Sequence, residues 1–151
     1  GDIVVLAVPY PAVSDVLAAR GESLAGKVVV DITNPVEFQT FDSLVVPADS
    51  SAAAEIAAAL PHSSVLKAFN TNFAGTLAAG TVGSLTTTVL IAGDDADAKS
   101  TLAGVITSGG LNAIDVGALK RARKLEALGF LQISLAASEK VSWAGGFGVV
   151  A

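Results

Sequence analysis

Three short segments carry residue types suited to holding a planar ligand: Pro9-Tyr10-Pro11, Asn34-Pro35 and Asn70-Thr71-Asn72. Each follows an apolar run. Asn and Tyr side chains can hydrogen-bond a ribose hydroxyl or an amide. The prolines stop the chain from continuing as helix and hold the shape of the loop. Asn and Pro are also common turn formers, so residue type alone leaves ordinary turn chemistry open beside ligand binding. Three such loops on one sheet edge would favour binding.

Other candidates are weaker. Gly21-Glu22-Ser23-Leu24-Ala25-Gly26-Lys27-Val28 nearly matches a P-loop, but Val28 replaces the hydroxyl that would reach Mg²⁺. The segment also precedes a strand instead of following one, so it reads as a helix-to-strand turn. Gly145, Gly146 and Gly148 have no room for a following helix, so they make no dinucleotide fingerprint. Asp31, inside an apolar strand, reads as a carboxylate satisfied by backbone N–H groups. Asp94, Asp95 and Asp97 read as helix-capping acids. Lys120, Arg121, Arg123 and Lys124 form a basic cluster, either a solvated helix face or a contact for an anionic cofactor or partner. His62 follows Pro61 in a turn and has no carboxylate beside it in sequence that would make it a base.

Composition narrows the classes. The 151 residues suffice for one domain with a core. They are 52% hydrophobic and 15% charged, which excludes intrinsic disorder. The net charge of −5 argues against general nucleic-acid binding. The chain has no Cys and one His, so thiol chemistry and His-based or thiolate metal sites are not expected. Mean hydropathy is +0.63, yet no stretch reaches the roughly 20 apolar residues that span a bilayer. Short apolar runs instead suit strands buried on both faces. No Met is present, even at position 1, which suggests a trimmed piece of a longer reading frame.

The elements that position the loops alternate between strand and helix. Strands are expected over residues 2–8, 27–33, 64–70, 86–92 and 111–116. Helices are expected from Pro11 to Arg20 with Gly21 as the stop, over 52–60 after the N-cap types Asp49, Ser50 and Ser51, and over 74–79 closed by Gly80. Two more are expected over 96–108 before Gly109-Gly110, and as one long helix from Leu119 to Lys140. Residues 36–48 show no period. Such alternation implies a mostly parallel sheet with helices on both faces and its strand C-terminal ends on one edge.

In order along the chain, DIVVLAVPYPAV from Asp2, GKVVVDITNP from Gly26, VLKAFNT from Val65, VLIAGDDADAK from Val89 and DVGALKRARKLEAL from Asp115 resemble the NADPH-dependent F-420 reductases. The cytosolic domains of six-transmembrane ferric reductases are similar. The resemblance implies a Rossmann-like fold and hydride transfer between NADP(H) and a deazaflavin or flavin-like acceptor, such as coenzyme F-420 or a flavin. Such a step needs two rings held face to face more than it needs an acid or base, in keeping with one His and no evident dyad. No catalytic residue is named. The resemblance places Val8, Pro9, Tyr10, Asn34, Pro35 and Ala74 along NADP, and Asn70 and Thr71 beside the second substrate. Asn70 stands where some F-420 reductases carry His, which bears on the identity of the acceptor.

Members of that family begin with a strand, a Gly-rich turn, a helix and a second strand, whereas this sequence opens on what would be a later strand. The expectation is an α/β, three-layer, mostly parallel Rossmann-like sheet truncated at its N-terminal side, with residues 1–151 as one domain. Weak or absent NADP binding by these residues alone is expected. So is self-association into a homo-oligomer, a dimer at its simplest, to cover the open sheet edge. A small-molecule cofactor, a cytoplasmic location, and no membrane or nucleic-acid partner complete the expectation. Two other readings stand beside it. One is a small-substrate imine or 3-hydroxy acid reductase with Lys140 as the late candidate base. The other is a non-enzymatic fragment or oligomerisation module.

Overall fold

The apolar runs become the strands of one sheet in the computed structural model, which describes residues 1–151. Strands β1 (Ile3–Leu6), β2 (Val28–Asp31) and β3 (Ser64–Lys67) lie side by side and parallel. Val29 and Val30 of β2 are fully buried, one on each face, as expected of β-branched residues in a sheet covered on both sides. The chain then makes a small hairpin from β4 (Thr81–Val82) and β5 (Leu85–Thr86) before β6 (Thr88–Gly93) and β7 (Asn112–Gly117) complete the order β1-β2-β3-β6-β7.

Helices α1 (Val13–Arg20), α2 (Ala52–Ala59) and α5 (Ala122–Ala137) cover one face; α4 (Ala96–Ser108) covers the other, with Leu77 of α3 (Ala74–Ala79) packed beside it. The first core joins Val13, Ala53, Ile56 and Ala122 to Leu6, Val29 and Val65. The second joins Ala98, Leu102 and Ile106 to Val30, Leu66, Val89 and Ile91. Buried Ala122, Leu125, Gly129, Gln132, Ile133 and Ala136 recur at helical spacing along α5 and turn one face of it to the sheet. β1 has a strand neighbour on one side only, and its Val5 is half-exposed.

Four expectations need correction. First, β6 runs antiparallel to β3, and β7 follows β6, so only β1–β3 end on a common edge. The short α3 and the hairpin keep the chain at the C-terminal edge of β3, and it re-enters the sheet in the opposite direction. Second, the expected strand over 86–92 begins at Thr88, because Leu85 and Thr86 pair with Val82 and Thr81. Third, the helix expected from Pro11 opens with a 3₁₀ turn over Tyr10–Ala12, so α1 begins at Val13; it ends at Arg20 with Gly21 at its C-cap, as expected, and the chain runs on as a 3₁₀ turn over Gly21–Leu24 before the left-handed Gly26 at φ +75°. Fourth, the long last helix opens with a 3₁₀ turn at Leu119–Arg121 and ends at Ala137.

Capping follows the sequence closely. Asp95 Oδ1 accepts from Ala98 N–H at the start of α4. Asp94 instead accepts from Leu119 N–H. Ser51 Oγ accepts from Ala54 N–H at 2.9 Å and begins α2. Ser51 is buried, so Ser51→Ala leaves the Ala54 N–H without its side-chain partner. Its expected cost is about 1 kcal/mol, to be read from the midpoint of urea unfolding.

Candidate functional site: an amide pair above a buried ion triad

The loops after β2 and β3 meet at the C-terminal edge. Asn34 Nδ2 donates to Asn70 O at 2.9 Å. Asn70 Nδ2 donates to Asn34 Oδ1 at 3.1 Å and to Leu125 O of α5 at 2.8 Å. Those two donations fix which way the Asn70 amide faces. Its Oδ1 is left buried without a partner, in a residue only 5% exposed. An unsatisfied buried carbonyl costs about 1–3 kcal/mol, so Asn70 Oδ1 stands ready to accept from a donor that the chain itself does not supply. Asn72 Oδ1 is likewise unpartnered, while its Nδ2 donates to Thr88 O.

Two local features make this contact possible. Phe69 adopts φ +64°, a left-handed conformation that is strained for a bulky residue. Its side chain packs on the second core, while the next residue, Asn70, faces α5 on the opposite side. Gly129 supplies the second feature. A Cβ there would overlap Asn34 Oδ1 and stand 3.0 Å from both Asn70 Nδ2 and Asn70 O. Glycine lets the α5 backbone close over the pair.

Beneath the pair lies an ion triad. Asp31 and Lys67 are direct register partners on β2 and β3, and both are fully buried. Lys67 Nζ contacts Asp31 Oδ2 at 2.8 Å, Thr33 O at 2.6 Å and Glu126 Oε2 at 3.1 Å. Asp31 Oδ1 accepts from Thr33 N–H and Thr33 Oγ. Glu126, from α5, accepts from Ala52 N–H at 2.8 Å and Ala53 N–H at 3.3 Å. Its carboxylate therefore satisfies the first turn of α2, where the helix end favours negative charge. Burial pushes the Glu126 carboxyl up, and the charge of Lys67 and the two amides pull it back. Each member stands three residues before a member of the upper layer: Asp31 before Asn34, Lys67 before Asn70, Glu126 before Gly129.

The remaining sequence candidates are dispersed around this centre. Thr71 is buried, and its carbonyl accepts from Gln132 Nε2 at 2.6 Å. Gln132 Oε1 in turn accepts from Phe147 N–H, and Trp143 packs on Phe73 with ring centroids 5.1 Å apart. These contacts tie the Gly-rich tail to the loop after β3. Pro35 is buried, Val8 packs against the first core, and Pro9 and Ala74 are exposed. Tyr10 donates to Glu55 Oε2 at 2.6 Å. Burial, this hydrogen bond and the charges of Glu55, Glu126 and Asp31 hold its phenol protonated, well above the ordinary range. A cleft of about 300 Å³ opens beside Tyr10, between Val13 and Leu17 of α1 and Ile56 of α2. Tyr10 is not hydrogen-bonded to the Asn34–Asn70 pair.

Sequence reasoning missed Lys67, Glu126 and Gly129. The signal for Lys67 was present as a charge three residues before an Asn in two neighbouring strands. Asp31 does meet backbone N–H, as expected, and it also meets Lys67.

Residues 1–35 match the family described as NADP oxidoreductase, coenzyme F420-dependent. The chain is 31% identical over 139 residues to the F420-dependent NADP reductase of Methanocaldococcus jannaschii, covering 89% of this chain and 62% of that protein. It is 35% identical over 112 residues to the metalloreductase STEAP3 of Rattus norvegicus, covering 74% of this chain and 22% of that protein. It thus spans less than two thirds of the length of either relative. Among solved structures, a protein from Arthrobacter sp. FB24 described as an F420-dependent NADP reductase superposes with a TM-score of 0.88 at 29% identity, over all of this chain and 70% of that one. A hypothetical protein from Sinorhizobium meliloti gives a TM-score of 0.70 at 30% identity, over 79% and 58% of the two chains. The α/β architecture with a mostly parallel five-stranded sheet is that of a Rossmann-like F420 reductase. No helix is long and apolar enough to cross a membrane.

Proposed function

We propose that these residues form the nicotinamide and acceptor side of an NADP-dependent oxidoreductase that moves a hydride between NADP(H) and a deazaflavin or flavin-like acceptor. The observation that carries this reading is Asn70 Oδ1, a buried acceptor with its own amide already anchored and no partner in the chain. Such an oxygen accepts from N–H and O–H donors, and the carboxamide and ring-lactam N–H groups of the proposed ligands are donors of that kind. NADP(H), when bound, supplies or takes the hydride. The chain's own part is to hold and to exclude water: Asn70 and Thr71 face the acceptor, and Asn34, Pro35, the Val8-Pro9-Tyr10 turn and Ala74 face the nicotinamide side. Positioning of this kind accounts for large rate factors without an acid or base. The similarity to F420-dependent reductases supports the same reading.

Lys140, the base required by the alternative hydroxy-acid reductase reading, is exposed beyond the end of α5, whereas the lysine near the site, Lys67, is consumed by its ion pairs.

The test is Asn70→Ala in the full-length protein, with NADPH as donor and F-420 or a flavin as acceptor. The expected result is a fall in kcat/KM for the acceptor of about 10- to 100-fold, the size of one lost buried hydrogen bond, larger than the change in KM for NADPH, which Asn70 reaches only through its bond to Asn34. No change in acceptor kinetics would overturn the assignment.

A further inference from the structure

Asp31, Lys67 and Glu126 place two carboxyl groups on one ammonium, all of them fully buried. Burying charge is costly, and a well-packed apolar cluster of similar volume is often as stable or more so. Stability alone therefore gives no reason for a buried triad of unequal composition. Its contacts give one.

The triad reaches the backbone that carries the amide pair. Asp31 Oδ1 accepts from Thr33 N–H at 2.8 Å, and Lys67 Nζ donates to Thr33 O at 2.6 Å. Both backbone polar groups of the residue before Asn34 are thus held from below. Lys67 itself lies on β3, whose following loop carries Asn70. Glu126 adjoins Leu125, whose carbonyl accepts from Asn70 Nδ2, and precedes Gly129 by three residues. One ammonium joins the three segments that must stay in register for Asn34 and Asn70 to bond each other. Its three donors meet three acceptors, on Asp31, Thr33 and Glu126. The pair alone is looser, because an N–H···O bond tolerates about 2.7–3.2 Å.

We propose that Lys67 is a positioning residue: through the triad it fixes the separation and orientation of Asn34 and Asn70. Resting on the function proposed above, it thereby sets the distance over which the hydride moves. Fully buried beneath the pair, it acts through the two asparagines and not on the ligands.

Asp31→Asn, Lys67→Met and Glu126→Gln, combined in the full-length protein, test this apart from stability. Together they remove every charge of the triad, keep its volumes and leave oxygens to accept from Thr33 and the start of α2. No buried charge is left without a partner, so the urea midpoint should stay near that of the parent. Two readings follow. Without any ligand, the side-chain amide hydrogens of Asn34 and Asn70 should exchange with solvent at least about tenfold faster by NMR. With NADPH and F-420 or a flavin, kcat should fall about 10- to 100-fold, by more than either KM rises.

A merely structural triad gives parent values for both once the midpoint is restored; either reading at its parent value overturns the proposal. A parent without hydride transfer would instead sink the function proposed above, and amide exchange alone would then decide for or against Lys67. Should the triple variant not fold, Glu126→Gln leaves Lys67 and Asp31 as a balanced pair and releases only α5. Exchange should then quicken more at Asn70, which α5 holds through Leu125 O, than at Asn34. Equal or absent acceleration would overturn the proposal.

Discussion

Lys67→Met should lower the free energy of unfolding by about 3–5 kcal/mol, the range found when one partner of a buried ion pair is removed. The ammonium of Lys67 is the common partner of two fully buried carboxylates and also holds Thr33 O. Methionine fills much the same volume, so loss of packing is not the main term. The main term is that Asp31 and Glu126 would face each other without a counter-ion in a medium where charge is poorly screened. Their remaining donors, Thr33 for one and the α2 amides for the other, are too few to replace it.

The variant's pH dependence gives the same argument a sign. Burial already pushes the Glu126 carboxyl up, and Lys67 is the strongest influence against it; without Lys67, burial acts with less opposition. A carboxyl whose folded-state pKa is raised contributes stability that is full below its unfolded value and lost as pH rises through the folded value. Lys67→Met should therefore lose stability relative to the parent as pH rises from 4 to 7. A penalty independent of pH would mean that the carboxylates do not feel the missing charge. Urea unfolding at several pH values measures both effects. Lys67→Met combined with Glu126→Gln should recover part of the loss, because one buried carboxylate no longer lacks its partner.

Much of this arrangement was legible in the residues. Apolar runs ending in Asn-Pro and Asn-Thr located two loops on one edge, because β2 and β3 are parallel and their apolar runs are short. The cap at Ser51 and the stop at Gly80, with φ +74°, follow from side-chain chemistry within a few residues. What was not legible depends on pairing at long range. The direction of β6 is decided by where a six-residue helix and a four-residue ladder return the chain, and nothing in TTTVLIA records it. Asp31 and Lys67 oppose each other only once the register of β2 against β3 is known. Glu126 belongs to a helix whose sequence shows no more than one acid between two leucines. Its role at the start of α2, 74 residues away in sequence, arises from packing alone.

Gly129→Ala is the sharper test of how closely α5 must lie on the loops. In an unconstrained helix interior the change would stabilise by about 1 kcal/mol, because alanine is the better helix former. Here the added carbon would overlap Asn34 Oδ1 and crowd Asn70. Overpacking of this kind costs about 1–3 kcal/mol. Displacing α5 would also stretch the bond from Asn70 Nδ2 to Leu125 O, worth about 1 kcal/mol. The unfavourable effects exceed the propensity gain, so a net loss of about 1–3 kcal/mol is expected, read as a lowered urea midpoint. Any hydride transfer should suffer more than stability does, since an ångström of misplacement costs about 100-fold in rate. A double-mutant cycle separates the clash from a general intolerance of α5. Asn34→Ala removes the oxygen that the new Cβ would strike, so Gly129→Ala should cost markedly less in that background, with a coupling of about 1 kcal/mol or more. Additive effects would show that α5 relaxes around the methyl group without engaging Asn34, and that the glycine is not what holds the amide pair closed.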